Sequence, residues 1–435
     1  MCANKFVGLD FGTTNSAIAI ADSDGNSELT AFPDGDELTT TFRSILYFYP
    51  EGKGKKGIHR NAVAGPEAIN EYLDDETHGR LIQSLKSYLP SRTFTQTMLN
   101  GRNYALDDLI AIIIRKLREG AQAEFGDIGS SVVIGRPVMF SGAKTAADEE
   151  FALERLKSAV LKAGFKHVRF EFEPVAAAYG YDRQLTQDQL VLIGDFGGGT
   201  SDFSVARLGP KARKARDRKF ILGNQGVPLA GDTFDSRIVR HLVAPTLGSE
   251  SSYRSMGKDL PVPVWLYHRL ASWHLVSFLK TRQTMEMLRQ IETQSEDPKK
   301  IEALRHIISH DLGYALYRAV EHAKVDLSKQ ESTRFVFYEP PIDIEANLTR
   351  KEFESWIAED IQMIADCVDG LLKSCNLQPV HIDSVFLTGG SAFVPAVRQI
   401  FIERFGEMNI KGGEELTTVA RGLALSAAAS SEYKL

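Results

Sequence analysis

One strand-turn-strand signature is written twice in this chain, and any fold must give both copies an equivalent place. Residues 7–20, VGLDFGTTNSAIAI, set two runs of apolar β-formers on either side of a polar Gly-Thr-Thr-Asn turn. Residues 190–208, LVLIGDFGGGTSDFSVARL, repeat the pattern around a glycine-rich turn. Superposed, the copies match Asp10 with Asp195, Phe11 with Phe196, Gly12 with Gly197 and Ser16 with Ser201. One copy at the start and one near the middle imply a duplicated architecture whose halves face each other across a cleft that holds both turns.

The rest of the chain fits an α/β reading. Between the copies, Ser44–Tyr49, Ser131–Val138 and HVRFEF after Gly164 read as strands, and 107–125 and 146–163 as helices. Pro174 sits where a first helical turn tolerates it, ahead of VAAAYGY. Beyond the second copy, helical periodicity runs from about Trp265 to Gln330 and reads as an insertion. A strand at 333–339, a helix at 349–374, the strand SVFLTGG and a small-residue helix then close the chain. Alternating strands and helices call for sheets covered by helices.

At 435 residues the chain exceeds one core, and 43% hydrophobic with 25% charged residues is ordinary for a globular protein. A net charge of −6 argues against nucleic acid as the main partner. Cys2, Cys367 and Cys375 form no Cys-x-x-Cys pair, which points to a reducing cytoplasm. The first residues lack the apolar run of an export signal. The stretch LIAIIIRKL, interrupted by Arg115 and Lys116, is far shorter than the roughly 20 residues a membrane span needs.

Asp10 and Asp195 each end an apolar strand and open a glycine turn, placing a carboxylate beside free backbone N–H groups. That combination suits a phosphate with its magnesium, because successive N–H groups form an anion nest and Mg²⁺ takes one or two carboxylates with retained waters. The bland reading is an Asx turn at each position, which two matched copies make harder to hold. Thr13, Thr14 and Asn15, and in the second copy Thr200 and Ser201, offer side-chain donors to phosphate oxygens. Asp202 places a carboxylate on an outgoing strand where the first copy has Ala17. Glu173 reads equally well as a helix-start acid or as an acid aimed into the cleft.

These segments, in this order, resemble the DnaK-type chaperones of the heat shock protein 70 family, in the actin-like ATPase superfamily. The two hairpins look like that family's phosphate motifs. FEPVAAAYGY looks like its connecting helix, and LTGGSAFVPAVRQIF its adenosine motif at Gly389, Gly390 and Ser391. LYRAVEHAKVDLS is similar to its nucleoside helix, with Glu321, Lys324 and Ser328. The resemblance is closest to the YegD-like subgroup, and it implies an α/β, two-lobed actin-like ATPase fold of duplicated ribonuclease H-like domains. Lobe I would span 1–185, completed by 410–435. Lobe II would span 186–409 with a helical insertion at about 265–330.

The implied cofactors are ATP or ADP with Mg²⁺. Asp10 and Asp195 would order the metal and its waters, Glu173 and Asp202 would bias the attacking water, and Thr200 would touch the γ-phosphate. Gly12, Thr13, Thr14, Asn15, Gly197, Gly198 and Gly199 would cradle the phosphates. The implied function is a chaperone-related switch acting on an unidentified protein partner or client in the cytoplasm. A sugar or acid kinase of the same superfamily, or an MreB-like or actin-like filament protein, is the alternative.

Three departures qualify the resemblance. The family's catalytic lysine follows a Gly-x-Ala-Ala-like stretch, and here Gly65, Pro66, Glu67 and Ala68 lead to Ile69. Slow or partner-dependent hydrolysis is therefore expected unless Lys53, Lys55, Lys56 or Arg60 supplies the cation. Val325 and Phe393 replace the arginines that stack on adenine, leaving apolar and aromatic contact. The reading expects no interdomain linker or peptide-binding domain, and hence no chaperone action of the familiar kind. Elsewhere, Gly52, Gly54 and Gly57 lack a dinucleotide-binding context, and 211–219, KARKARDRK, reads as a solvated turn. Glu302, His306 and His310 share a helix face without a metalloprotease motif, and Trp265 reads as core.

Overall fold

The computed structural model describes residues 5–50, 62–74, 79–214, 220–412 and 417–429. Lys53, Lys55, Lys56, Arg60, the glycines at 52, 54 and 57, and the end of the basic run at 215–219 lie outside the described residues. Two compact units are present: Met1–Ala230 with Met363–Ala392 and Val397–Leu435, and Gly231–Gln362 with Phe393–Ala396.

The first unit carries two sheets with one topology. In the first, the order is His167–Phe172, Ser131–Arg136, Phe6–Phe11, Asn15–Ala21, Ser27–Leu29. In the second it is Ile410–Gly412, Ser384–Thr388, Gln189–Phe196, Ser201–Leu208, Ile221–Val227. Each sheet has three parallel strands followed by two antiparallel ones, and the repeated hairpin supplies the third and fourth strands of both. The register is the same too: Phe11 pairs with Ser16 and Asp10 with Ala17, as Phe196 pairs with Ser201 and Asp195 with Asp202.

Strand alternation sends side chains into two cores. Val7, Leu9, Phe11, Ile18 and Ile20 join a core with the helices Leu106–Phe125 and Ala146–Lys162. Leu106, Leu109, Ile110, Ile113, Ile114 and Leu117 recur at helical spacing and are fully buried. Each such side chain contributes about 1.5–3 kcal/mol relative to exposure. The intervening Phe6, Ala17 and Ala19 face a second core with Val191, Ile193, Ala206 and Leu208 of the other sheet. Between them lie the helices Glu173–Asp182 and Thr418–Ala429, rich in alanine. These helices touch backbone to backbone, since a Cβ on Gly422 would fall 1.7 Å from the Ala176 carbonyl oxygen.

The second unit is mainly helical. Its helices at Val264–Leu270, Arg282–Gln294, Pro298–Ser309 and Gly313–Lys329 fill the stretch read as an insertion. Two hairpins, Ser252–Ser255 with Lys258–Pro261 and Ser332–Glu339 with Ile342–Thr349, also belong to it. The helix expected at 349–374 is two helices, Arg350–Trp356 and Ala358–Ser374, that meet at the buried Ile357. Trp265 is 40% exposed with the Arg269 guanidinium over its ring, not core. His306 and His310 stack their rings 3.8 Å apart.

Candidate functional site

Asp10 shares the strand face of Phe6, and Asp195 that of Val191 and Ile193, so both carboxylates emerge from the core shared by the two sheets. The turns beyond them approach each other: a Cβ on Gly199 would stand 3.4 Å from the Thr13 hydroxyl. The second turn is closed by the Gly197 N–H donating to the Thr200 carbonyl at 2.9 Å. The Gly389 backbone, in the left-handed region at φ 88°, lies against Phe196, where a Cβ would fall 2.1 Å from its carbonyl oxygen. Gly390 follows it in a short turn with the buried Ser391.

Two more acids join this cluster. Glu173 opens the helix Glu173–Asp182 and is buried, packed so closely on Gly135 that a Cβ there would stand 3.0 Å from its Cγ. Asp202 is 1% exposed and accepts the Val138 N–H at 2.7 Å and a Thr200 side-chain bond. A Cβ on Gly226 of the adjacent strand would stand 2.4 Å from the Asp202 carboxylate. Glu173 is thus more than a helix-start acid: its carboxylate accepts from Lys86 Nζ at 2.7 Å.

Electrostatics agree with the crowding. Loss of hydration, then the Glu173 charge, lifts Asp10 to about 7 despite Lys86. The same two causes lift Asp202 to about 7, against the bonds from Thr200 and Val138. Burial, then Glu173, Asp10 and Asp202, raise Asp195 well above the ordinary carboxylate range. Burial pulls Lys86 down, but Glu173, Asp10 and Asp202 outweigh it and hold the ammonium above its usual value. Among the described residues no group of three or more acids, histidines or cysteines is placed to hold a metal directly, so a hard divalent cation here would rest on one or two carboxylates and water.

Lys86 is the residue the sequence reading missed. It lies on a 3₁₀ turn, Leu85–Tyr88, with only 8% exposure. Ile69, where the resemblance expects a lysine, sits half-buried on the helix Pro66–Asp74. The cluster nevertheless holds a buried cation.

In the second unit, Glu321, Lys324, Val325 and Ser328 all lie on the helix Gly313–Lys329. Lys324 is held by Asp235 at 2.7 Å and donates to the Gly231 carbonyl at 3.4 Å. Burial raises the Asp235 carboxyl although Lys324 opposes it, with Glu321 adding to the rise. Ser328 donates back to the Lys324 carbonyl. Val325 and Phe393 are 43% and 52% exposed, which leaves apolar surface open to a ligand.

A model of the Hsp70 protein family matches residues 6–252 and 300–433. The chain belongs to the Hsp70 family. It is 27% identical over 433 residues to the chaperone protein DnaK of Thermotoga neapolitana, an alignment covering 97% of this chain and 59% of that protein. To the DnaK of Thermosipho africanus it is 28% identical, covering 98% and 60%. The chain thus spans about three fifths of the length of these relatives. The duplicated sheets are those of an actin-like ATPase domain, and the family match favours the chaperone-related reading over the kinase and filament alternatives. Among the described residues no helix is long and apolar enough to cross a membrane.

Proposed function

We propose that this Hsp70-family chain binds ATP with Mg²⁺, hydrolyses it slowly, and uses the nucleotide state to signal to a protein partner. The observation that carries the reading is the convergence of both Asp-Phe-Gly turns, with Glu173 and Asp202, on one buried cluster. Asp10 and Asp195 would hold the metal through its waters. Bound magnesium supplies charge neutralisation at the phosphate oxygens.

Phosphoryl transfer needs mostly positioning and charge stabilisation, and the chain's own groups offer both. Backbone N–H groups of Gly12–Asn15 and Gly198–Thr200 would donate to phosphate oxygens, while the Gly197 N–H closes its turn on the Thr200 carbonyl. Thr200, tied to Asp202, would touch the γ-phosphate, while Glu173 and Asp202 would orient the attacking water and accept its proton. Gly389, Gly390 and Ser391 would act as the adenosine motif with Phe393 in apolar contact, and Glu321, Lys324 and Ser328 would hold the nucleoside. Lobe I would comprise 1–185 with 410–435, and lobe II 186–409.

Combining Asp10→Asn with Asp195→Asn tests the site. Titration calorimetry with Mg·ATP should show affinity falling at least about tenfold, since each carboxylate holding a divalent ion carries a charge-assisted contact. Wild-type affinity in the double variant would overturn the assignment.

A further inference from the structure

Where the resemblance calls for a lysine this chain has Ile69, yet a different element delivers a cation to the same carboxylates. The delivery is built into the backbone. Ser84, buried, adopts the left-handed region at φ 55°, a conformation disfavoured for a residue with a Cβ. The chain then turns through Leu85–Tyr88, with Leu85 and Leu89 sunk into the core as anchors. From the helix Ala146–Lys162, Arg155 grips the far side, donating to the carbonyls of Tyr88, Leu89 and Ser91 at 3.1, 3.2 and 2.9 Å and of Phe94 at 2.9 Å. What the turn places inward is Lys86.

Burying an ammonium is costly unless its charge and donors are used. The Lys86 side chain is 9% exposed and, among the described residues, makes a single hydrogen bond, to Glu173, though an ammonium has three N–H groups. It also stands in the fields of Asp10 and Asp202. Arg136, the other cation that senses Glu173 and Asp202, is committed elsewhere: to the Pro137 carbonyl at 3.0 Å, the Val138 carbonyl at 3.5 Å and Glu149 at 3.0 Å. Among the described residues, Lys86 alone combines deep burial, unspent donors and a place among the carboxylates that flank both phosphate turns.

We propose that Lys86 is the catalytic cation of this chain, contacting the γ-phosphate of bound ATP from the 84–94 strap and taking the role that Ile69 leaves empty. The inference rests on the ATP reading above. In the step, the water oxygen bonds to the γ-phosphorus while the bond from that phosphorus to the β,γ-bridging oxygen breaks, its electron pair leaving on ADP. The water proton passes to a carboxylate of the cluster and then to solvent. Lys86 forms no covalent bond; its free N–H groups stabilise charge on the transferring group. Because that charge is greatest in the transition state, the lysine matters more to the rate than to nucleotide binding.

The test uses the full chain with Mg²⁺, comparing wild type, Lys86→Met and Lys86→Arg. Single-turnover hydrolysis and calorimetric affinities for ATP and ADP are measured, with thermal unfolding to check folding. Lys86→Met should slow hydrolysis about 10²–10³-fold, the usual loss when a preorganised donor is removed. ATP affinity should fall while ADP affinity stays within about threefold, because only ATP carries the γ-phosphate. Hydrolysis by Lys86→Met within twofold of wild type, or equal losses for ATP and ADP, would overturn the proposal. Should the methionine variant not fold, Lys86→Arg keeps the charge but not the point-charge geometry. It should lose at least about tenfold in rate, and a wild-type rate would mark Lys86 as only a counter-ion. Failure of the wild-type chain to bind ATP would instead sink the ATP reading itself.

Discussion

At the scale of single residues, the cluster is held in a state that folding alone would not choose. Asp202 is a buried carboxylate beside other carboxylates, and its burial is made possible by the missing side chain at Gly226. Such sites trade stability for function. Asp202→Asn keeps the shape and removes a buried charge. It should raise thermal stability by about 1–2 kcal/mol, because it relieves the repulsion from Glu173 while Oδ1 can still accept from the Val138 N–H. It should also slow single-turnover ATP hydrolysis about 10²-fold or more by removing a water-orienting base. A variant that is destabilised and fully active would show that Asp202 is a structural cap for Val138 and nothing more. Sequence made Asp202 visible because strands disfavour aspartate. The glycines at 135 and 226 were equally telling, since a glycine inside a strand marks close approach, but their meaning depends on which acid lies opposite.

Among elements, the paired hairpins were legible to within one residue at their ends, because alternation and turn chemistry are local signals. The 84–94 strap was not. RLIQSLKSYLP has neither helical nor strand period, and a lysine between leucines reads as a solvated side chain until the backbone turn at Ser84 reverses that expectation. The hairpin at 252–261 escaped for a related reason: SYRS and KDLP carry no apolar alternation, and no residue of Lys258–Pro261 is buried. Arg155 is the strap's clasp, and its loss should be felt along the element. Arg155→Ala leaves four carbonyls without a charged donor and removes the guanidinium from the Phe151 ring. A cost of about 1–3 kcal/mol is expected for charged hydrogen bonds at a half-buried site. Hydrogen exchange should locate that loss: the amides of Leu89 and Ser91, which donate to Lys86 and Tyr88, should exchange faster while those of the paired hairpins keep their protection. Uniform loss of protection would mean that Arg155 supports the whole unit and not the strap.

For the whole molecule, duplication is the fact from which the rest follows. Two copies of one hairpin, embedded in sheets of one topology, bring two aspartates to equivalent strand ends around a shared alanine-rich core. The symmetry also creates an electrostatic problem, since Asp10, Asp195, Glu173 and Asp202 converge on Lys86 without enough positive charge. A ligand that brings its own cation should therefore stabilise the folded chain far more than the same ligand without it. Mg·ATP at a hundred times its dissociation constant should add about 2.7 kcal/mol, the mass-action limit for a ligand binding only the native state. Thermal unfolding with Mg·ATP, with ATP plus a chelator, and with Mg²⁺ alone makes the comparison. A large rise in Tm is expected only for Mg·ATP, because a bare triphosphate adds negative charge to carboxylates already repelling one another. In the Asp10→Asn, Asp195→Asn chain the nucleotide-dependent rise should fall to about half or less, while the ligand-free Tm should climb as the repulsion is relieved. Equal rises for ATP with and without the chelator would mean that nucleotide binds away from the paired turns, and the meaning read from their duplication would fail with it.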